Sequence, residues 1–237
     1  MEPNSLVKLN EARRERQAAI LLSEIGKGRD RVIREGDTVA GPLGEAVAKA
    51  FRSGKSGMFE LDGQEFFLNV HVPAPRIVVI GAVHISQALA PMAKIAGYDI
   101  EIIDPRTAFA TPERFEGVAL RADWPEEAMG DGYLDAYSAL VAVTHDPKID
   151  DYPLIQALKS NCFYVGALGS RKTHAKRVER LKEAGISDER IARISAPIGL
   201  DIGAASPQEI AVAVLADIIQ AFRKRELSAA EQAKGAA

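Results

Sequence analysis

The sequence predicts an α/β protein: a parallel sheet with helices on both faces, preceded by a small α/β domain. Three observations lead there. Downstream of Pro73-Ala-Pro75, short and nearly continuous apolar runs alternate with stretches of helical spacing, the pattern of strands buried on both faces. Upstream, two strand-like runs bracket Asp62-Gly63, a strong hairpin dipeptide. The run F-Y-V-G-A-L-G-S-R-K at 163–172 turns through two glycines straight onto a helix start. With 237 residues, 47% of them hydrophobic, the chain can bury a sizeable core beside a smaller one. The domains expected are residues 1–74, residues 75–227 and a flexible Ala-rich tail at 228–237.

In the first domain, helical spacing at 6–16 precedes strand-like runs at 18–25 and 30–34, a helix near 43–51 and hairpin strands at 58–61 and 65–71. In the second, strands are expected at 77–80, 98–103, 117–120, 139–143 and 163–165. Helices are expected between them at 85–96, 125–129, 153–159 and 174–184. A last helix opens on Ser206-Pro207-Gln208-Glu209, a capping box with proline at the first helical position, and runs to about Arg225.

Charge and composition exclude several functions. A net charge of -3 gives no global basic field to draw the chain to nucleic acid or anionic lipid. Residues 1–16 contain no hydrophobic signal core, and no apolar run is long enough to span a bilayer, so a cytoplasmic protein is expected. The single cysteine, Cys162, excludes an internal disulfide and any multi-cysteine metal site. Among apolar neighbours it reads as a small buried hydrophobe, remote from any ligand.

Ligands of open parallel sheets bind beyond the carboxyl ends of the strands. Those positions are polar here. The first strand delivers Gly81-Ala-Val-His84, the second Asp104-Pro-Arg106, and the fourth Thr144-His145-Asp146-Pro-Lys148 with Asp150 and Asp151. The fifth delivers Gly166-Ala-Leu-Gly169-Ser170-Arg171-Lys172. A further segment at 197–204, with two glycines and Asp201 read as a buried acid, is expected to close over the same rim. The 166–172 turn suits a phosphate: glycines permit close backbone approach, the first helical N–H groups lack partners, and Arg171 and Lys172 add charge. Cations at a helix N-terminus oppose the helix dipole, and a bound anion accounts for them better than a merely solvated turn does.

Residues 81–86 occupy the place of a dinucleotide fingerprint, but Val83 stands where the second glycine belongs and Ser86 where the third does. Asp104, about 20 residues on, is placed either to accept from a ribose hydroxyl or to form a turn ahead of Pro105. His84, His145 and His174 do not pair at metal-ligand spacing, and Asp150 or Asp151 reads as the cap of the helix containing Pro153, so no metal site is expected. His145 beside Asp146 suits acid/base work, or equally a hydrogen bond to ligand or backbone. No residue is assigned a catalytic role.

Several long motifs in register resemble one family. They are V-P-A-P-R-I-V-V-I-G-A-V-H-I-S-Q-A-L, D-P-R-T-A-F-A-T-P-E-R-F, T-H-D-P-K-I-D-D-Y-P-L, the 163–177 segment, R-I-S-A-P-I-G-L-D-I-G-A and S-P-Q-E-I-A-V-A. The chain is similar, over about residues 73–222, to the xanthine dehydrogenase accessory proteins of the XdhC/CoxI type. The resemblance implies a Rossmann-like second domain and a non-catalytic role in maturing molybdenum hydroxylases, by binding the molybdenum cofactor and helping its sulfuration or insertion. Fuller members carry a Gly-Gly-Cys segment ahead of that domain; the first seventy or so residues here contain no cysteine, so thiolate ligation of molybdenum does not carry over. The implied partners are a molybdenum hydroxylase apoenzyme, a cysteine desulfurase and a second copy of the chain. Molybdopterin is a phosphorylated pterin: its phosphate suits the 166–172 turn, while Asp104, His145, Asp146 and Asp201 suit the pterin edges. The other readings are an NAD(P)-dependent oxidoreductase, with Arg106 on a ribose phosphate, and a protein-binding scaffold without ligand.

Overall fold

In the computed structural model, which describes residues 2–224, the chain divides into two compact units, one ending at Pro73 and one running from Ala74 to Lys224. The tail expected at 228–237 lies outside the described residues.

The first unit runs α1 (Pro3–Arg14), β1 (Ala19–Glu24), β2 (Arg29–Arg34), α2 (Gly41–Ser53), β3 (Gly57–Leu61) and β4 (Gln64–His71). Its four strands form an antiparallel sheet in the order β2-β1-β4-β3. The expected hairpin is present: Leu61 pairs with Gln64, and Asp62 and Gly63 take φ of 52° and 73°, as a two-residue type I′ loop requires. Central β1 is buried at four successive residues, and Leu9 and Ala12 of α1 pack against Ala19 and Val32. From α2, Val47, Ala50 and Phe51 are buried.

The second unit runs β5 (Arg76–Ile80), α3 (His84–Ile95), β6 (Asp99–Ile103), β7 (Ala119–Arg121), α4 (Pro125–Ala128) and β8 (Ser138–Ala142). It continues through α5 (Pro147–Lys159), β9 (Tyr164–Ala167), α6 (Arg171–Glu183), α7 (Asp188–Ile191), β10 (Ile194–Ser195) and α8 (Pro207–Lys224). Its six strands are all parallel, in the order β10-β9-β8-β5-β6-β7. Counted from β5 as the first strand, this is the 3-2-1-4-5-6 order of the Rossmann fold, which reverses direction between β5 and β8. The continuous apolar runs are explained by two cores. Ile77, Val79, Ala139 and Val141 join one with α3 and α8; Val78, Ile80, Leu140 and Ala142 join the other with α4, α5 and α6.

Three elements differ from expectation. Helix α5 begins at Pro147 rather than 153, because Asp146 caps it: Oδ1 accepts from Lys148 N at 3.0 Å with proline at the first helical position. Pro153 therefore lies inside the helix, and neither Asp150 nor Asp151 is its cap. Helix α6, by contrast, starts at Arg171, at the helix start expected after the two glycines and one turn before the helical spacing at 174, capped by Ser170, whose Oγ accepts from Thr173 N. The short α7 and β10 were not anticipated, since four and two residues are too few for a periodic signal.

Strand β9 is locked to its neighbours by one carboxylate: Tyr164 OH and Ser195 Oγ both donate to Asp217 Oδ2, at 3.0 and 2.7 Å. The tyrosine ring then occupies the space beside Gly166, where a Cβ would lie 2.6 Å from Tyr164 Cε1 and 2.7 Å from Ile198 Cγ1. With the ring pinned at its hydroxyl, Gly166→Ala is expected to destabilise the protein by about 1–3 kcal/mol of overpacking. Urea unfolding measures this, and an unchanged midpoint would show that the ring yields freely.

Candidate functional site

The sheet reverses direction between β5 and β8, and the loops leaving their carboxyl ends form the expected crevice. Gly81, at φ 126°, ends β5; a Cβ there would stand 3.0 Å from Thr144 Cγ2, so glycine lets the ends of β5 and β8 approach. The next amide is already taken: Ala82 N donates to Asp104 Oδ2 at 2.7 Å. Asp104 has no solvent exposure, and Arg106 closes on it through its backbone N and Nε to Oδ1, both at 2.9 Å, and Nη2 to Oδ2 at 2.7 Å. Burial opposes ionisation of this carboxyl, but the Arg106 guanidinium and two backbone N–H groups outweigh it and hold its pKa below the usual value. Arg114 clamps the turn from outside, with Nη1 on Ala82 O at 3.1 Å and Phe109 O at 2.7 Å. Ser86 Oγ donates to Gly81 O, and His84 is exposed on the first turn of α3.

Beyond β8, the chain turns through His145 at φ 66° into α5. Thr144 Oγ1 donates to Asp150 Oδ1 at 2.7 Å and accepts from Asp146 N at 3.0 Å, while His145 N donates to Asp150 Oδ2 at 3.1 Å. Asp150 is buried, and burial pushes its pKa up to about 6 against these hydrogen bonds and the charge of Arg177. Arg177, from α6, is only 2% exposed; its Nη2 donates to Leu168 O at 2.9 Å, and its Nε and Nη1 have no partner. Burial pulls its pKa down, against the charge of Asp150. His174 Nδ1 is likewise buried and unpartnered, and burial followed by the Arg177 charge lowers its pKa. Arg180 is committed to Asp151 by two bonds of 2.5 and 2.9 Å. Asp150, Asp151, Arg177 and Arg180 line a cleft of about 280 Å³ between α5 and α6, together with His145, Lys172, Thr173 and Lys176.

The predicted residues therefore fall into three places. Gly81, Asp104, Arg106, Thr144, His145 and Asp146 meet at the ends of β5, β6 and β8, where the charges of Asp146 and Asp150 act on Arg106. Gly169, Ser170, Arg171 and Lys172 form the turn into α6, with Lys172 lining the cleft. Gly169, at φ 137° with a Cβ position 3.1 Å from Thr173 Cγ2, must be glycine. Gly166 has a packing reason of its own, since a Cβ there would meet the Tyr164 ring. Asp201 stands apart and is exposed, not buried: Gly199 backs onto Ala213 and Val214, and Leu200 N donates to Ala213 O, so the 197–204 segment is carried by α8. Sequence reasoning missed Asp150 as a buried acid, and Lys176, Arg177 and Arg180. The available signal was Leu181, four residues after Arg177 on α6, which sets the inward face. Cys162 lies at the opposite end of β9, fully buried, and burial pushes its thiol up to about 12.

The raised pKa of Asp150 has a pH signature. Because the folded state holds this proton more tightly than the unfolded chain, the contribution is fully present below about pH 4 and lost as pH rises through about 6. A rise from 3.8 to about 6 corresponds to about 3 kcal/mol. The unfolding free energy of the wild type minus that of Asp150→Asn should therefore fall by up to that amount between pH 4 and 7. A difference flat with pH would mean that Asp150 titrates normally.

The geometry agrees with what the chain is similar to. A family model described as the XdhC Rossmann domain matches residues 77–218. The uncharacterized protein YqeB of Escherichia coli K12 is 34% identical over 156 residues, 65% of this chain and 28% of that protein. A protein of Bacillus subtilis strain 168 described as a probable xanthine dehydrogenase component is 33% identical over 65% of this chain and 44% of its own length. The molybdenum cofactor insertion chaperone PaoD of E. coli K12 is 31% identical over 62% of this chain and 40% of its own length. The chain thus spans less than half the length of each of these relatives. A crystal structure of a xanthine dehydrogenase from Bacillus halodurans superposes with a TM-score of 0.60 at 20% identity, covering 94% of this chain and 65% of that one, a likeness of fold alone. With its Rossmann unit matched over more than half of its residues, the chain belongs to the XdhC family.

Proposed function

We propose that this protein is an accessory factor in the maturation of molybdenum hydroxylases, one that holds the molybdenum cofactor or a related phosphorylated ligand and passes it to an apoenzyme. A cysteine desulfurase acts beside it as the sulfur donor. The names of its relatives, a probable xanthine dehydrogenase component and a molybdenum cofactor insertion chaperone, support the reading. One observation favours a carrier over a dehydrogenase: the first amide of the Rossmann turn and the acid after β6 are held by the chain itself. A dinucleotide needs the turn amides for its pyrophosphate and a free acid for its ribose. Here Ala82 N is held by Asp104, and Asp104 is held by Arg106. Seating a nicotinamide cofactor means breaking a buried ion pair and passing the β-branched Val83.

The residues present fit the phosphorylated end of the cargo. The turn at 169–172 opens a helix N-terminus, and four cations, Lys172, Lys176, Arg177 and Arg180, line the adjoining cleft. At about 280 Å³ that cleft is at the lower limit for small-molecule pockets, so it takes a phosphate while the pterin lies along the open rim near Thr144, His145 and Asp146. No thiolate is on offer there, since Cys162 is buried and protonated at the far end of β9.

Titration with NAD, NADH, NADP and NADPH is expected to show only weak binding, with the molybdenum cofactor at least tenfold, about 1.4 kcal/mol, tighter. A nicotinamide cofactor bound at low micromolar affinity, with its pyrophosphate against Gly81 and His84, would replace this reading by an oxidoreductase. Cys162→Ser is expected to support client maturation as the wild type does. An inactive client lacking its terminal sulfur, recovered from cells complemented with the serine variant, would instead make Cys162 a sulfur relay.

A further inference from the structure

We propose that the cleft between α5 and α6 is a built binding site for a tetrahedral phosphate group, with the Arg177 guanidinium as its floor and Lys172 and Lys176 as its wall. The inference deepens the reading above, on which the identity of the phosphorylated ligand rests. The cleft itself is argued from its own atoms.

The central observation is an unmet buried cation. A guanidinium carries five N–H donors in a fixed fork. At Arg177 the Nη2 edge is used on Leu168 O, while Nε and Nη1 are buried with no partner, although the side chain is only 2% exposed and lines the cleft. Buried charged donors are normally paired, and a native structure that leaves a fork open is one that expects an acceptor. The neighbouring acids do not fill the role. Asp150 turns its oxygens to Thr144 Oγ1 and His145 N, and Asp151 is held by Arg180. Among the described residues, no ion pair joins Arg177 to either.

Around that fork the fold gathers further attraction for an anion. Lys172 and Lys176 stand four apart on α6, so both reach the same side of the helix, and among the described residues neither makes an ion pair. The Arg177 Nη2 atom, bonded to Leu168 O, sits 3.8 Å from the Cβ position of Gly169, so the guanidinium lies close to the turn into α6, where Thr173 N is capped by Ser170 Oγ. Two free guanidinium donors and two lysines thus line one space of about 280 Å³, with Lys172 and Thr173 bringing the first turn of α6 to its side. Free guanidinium donors flanked by ammonium groups are a donor set that phosphate oxygens match.

Calorimetry with inorganic phosphate on the full chain tests the site. Wild type should bind, Lys172→Ala and Lys176→Ala should each weaken binding about fivefold with unchanged melting temperature, and the double variant should weaken it further. Arg177→Leu should abolish binding and Arg177→Lys should retain part of it. The lysine variants decide the matter if the leucine variant fails to fold. Lys159→Ala, an exposed cation at the far end of α5, should leave binding unchanged. A second arm adds molybdenum cofactor, intact or with its phosphate ester removed: phosphate should compete with the intact form alone. Phosphate binding that responds to Lys172, Lys176 and Arg177 without any competition from the cofactor would keep the site and sink the carrier reading. Cofactor binding that ignores phosphate and all three substitutions would keep the carrier and sink the site. No phosphate binding at millimolar concentration would show that water fills the Arg177 fork, and the proposal would be withdrawn.

Discussion

Sealing β5 and β8 on both faces is the constraint on which the second unit depends. Residues 77–80 and 139–142 have no solvent exposure, and alternate side chains feed two separate cores. Such strands satisfy their backbones through the ladder and tolerate no polar side chain along their length. Polar groups are driven to the two strand ends, and the two ends are treated differently. At the amino end, Arg76, Asp135 and Ser138 satisfy one another, with Ser138 Oγ donating to Asp135 Oδ1 at 2.7 Å and Arg76 Nε to Ser138 Oγ at 3.0 Å. At the carboxyl end, Asp104, Thr144, Asp150 and Arg177 are buried but not all satisfied.

Two buried carboxylates at that end show how the same residue type serves opposite purposes. Asp104 receives a complete set of donors, so its ionised form is favoured despite burial, and it ties the β5 and β6 loops shut. Asp150 receives the Thr144 hydroxyl and backbone N–H groups but, among the described residues, no ion pair, so burial prevails and its proton is held more tightly. The first arrangement closes the place where relatives in fold bind dinucleotides. The second leaves an imperfectly neutralised pocket next to Arg177. On the proposed reading, the binding capacity has moved from the β5 turn to the β9 turn within an unchanged strand order.

The parallel sheet, the hairpin and the helix start at 170–172 were legible because each rests on local chemistry: alternation of apolar runs with helical spacing, Asp62-Gly63 at positive φ, and an apolar run turning through two glycines. Helix α5 was misread at its start because Pro153 signals a first turn, and nothing local shows that Asp146 and Pro147 already supply one. The packing demand on Gly166 was not legible, because the Tyr164 ring it accommodates is held by Asp217, 53 positions after that tyrosine. Arg177 was invisible for a related reason. Past the first turn, in H-A-K-R-V-E-R, nothing local separates one cation from the next, and only the packing of α6 against α5 decides that one of them is buried. Asp201, flanked by apolar residues and glycines, looked buried, but the loop lies along α8 with its carboxylate outward.

A carrier must hold its cargo and also surrender it, and the distribution of charge at the α6 turn bears on both demands. A fully enclosed set of donors would bind a phosphate so tightly that release became slow, since affinity differences between related complexes reside mainly in dissociation. An all-surface lysine patch would bind weakly and lose its grip in salt. Here the buried guanidinium supplies geometry and a cost to standing empty, while Lys172 and Lys176 remain at the surface, where solvent and salt screen them. On the proposed reading, release requires only that a client surface compete for the outer cations, because the inner fork alone makes too few contacts to retain the ligand. The open side of the cleft is then the side on which an acceptor protein must dock, and the fold's satisfied first turn is what prevents a dinucleotide from occupying the rim in the meantime.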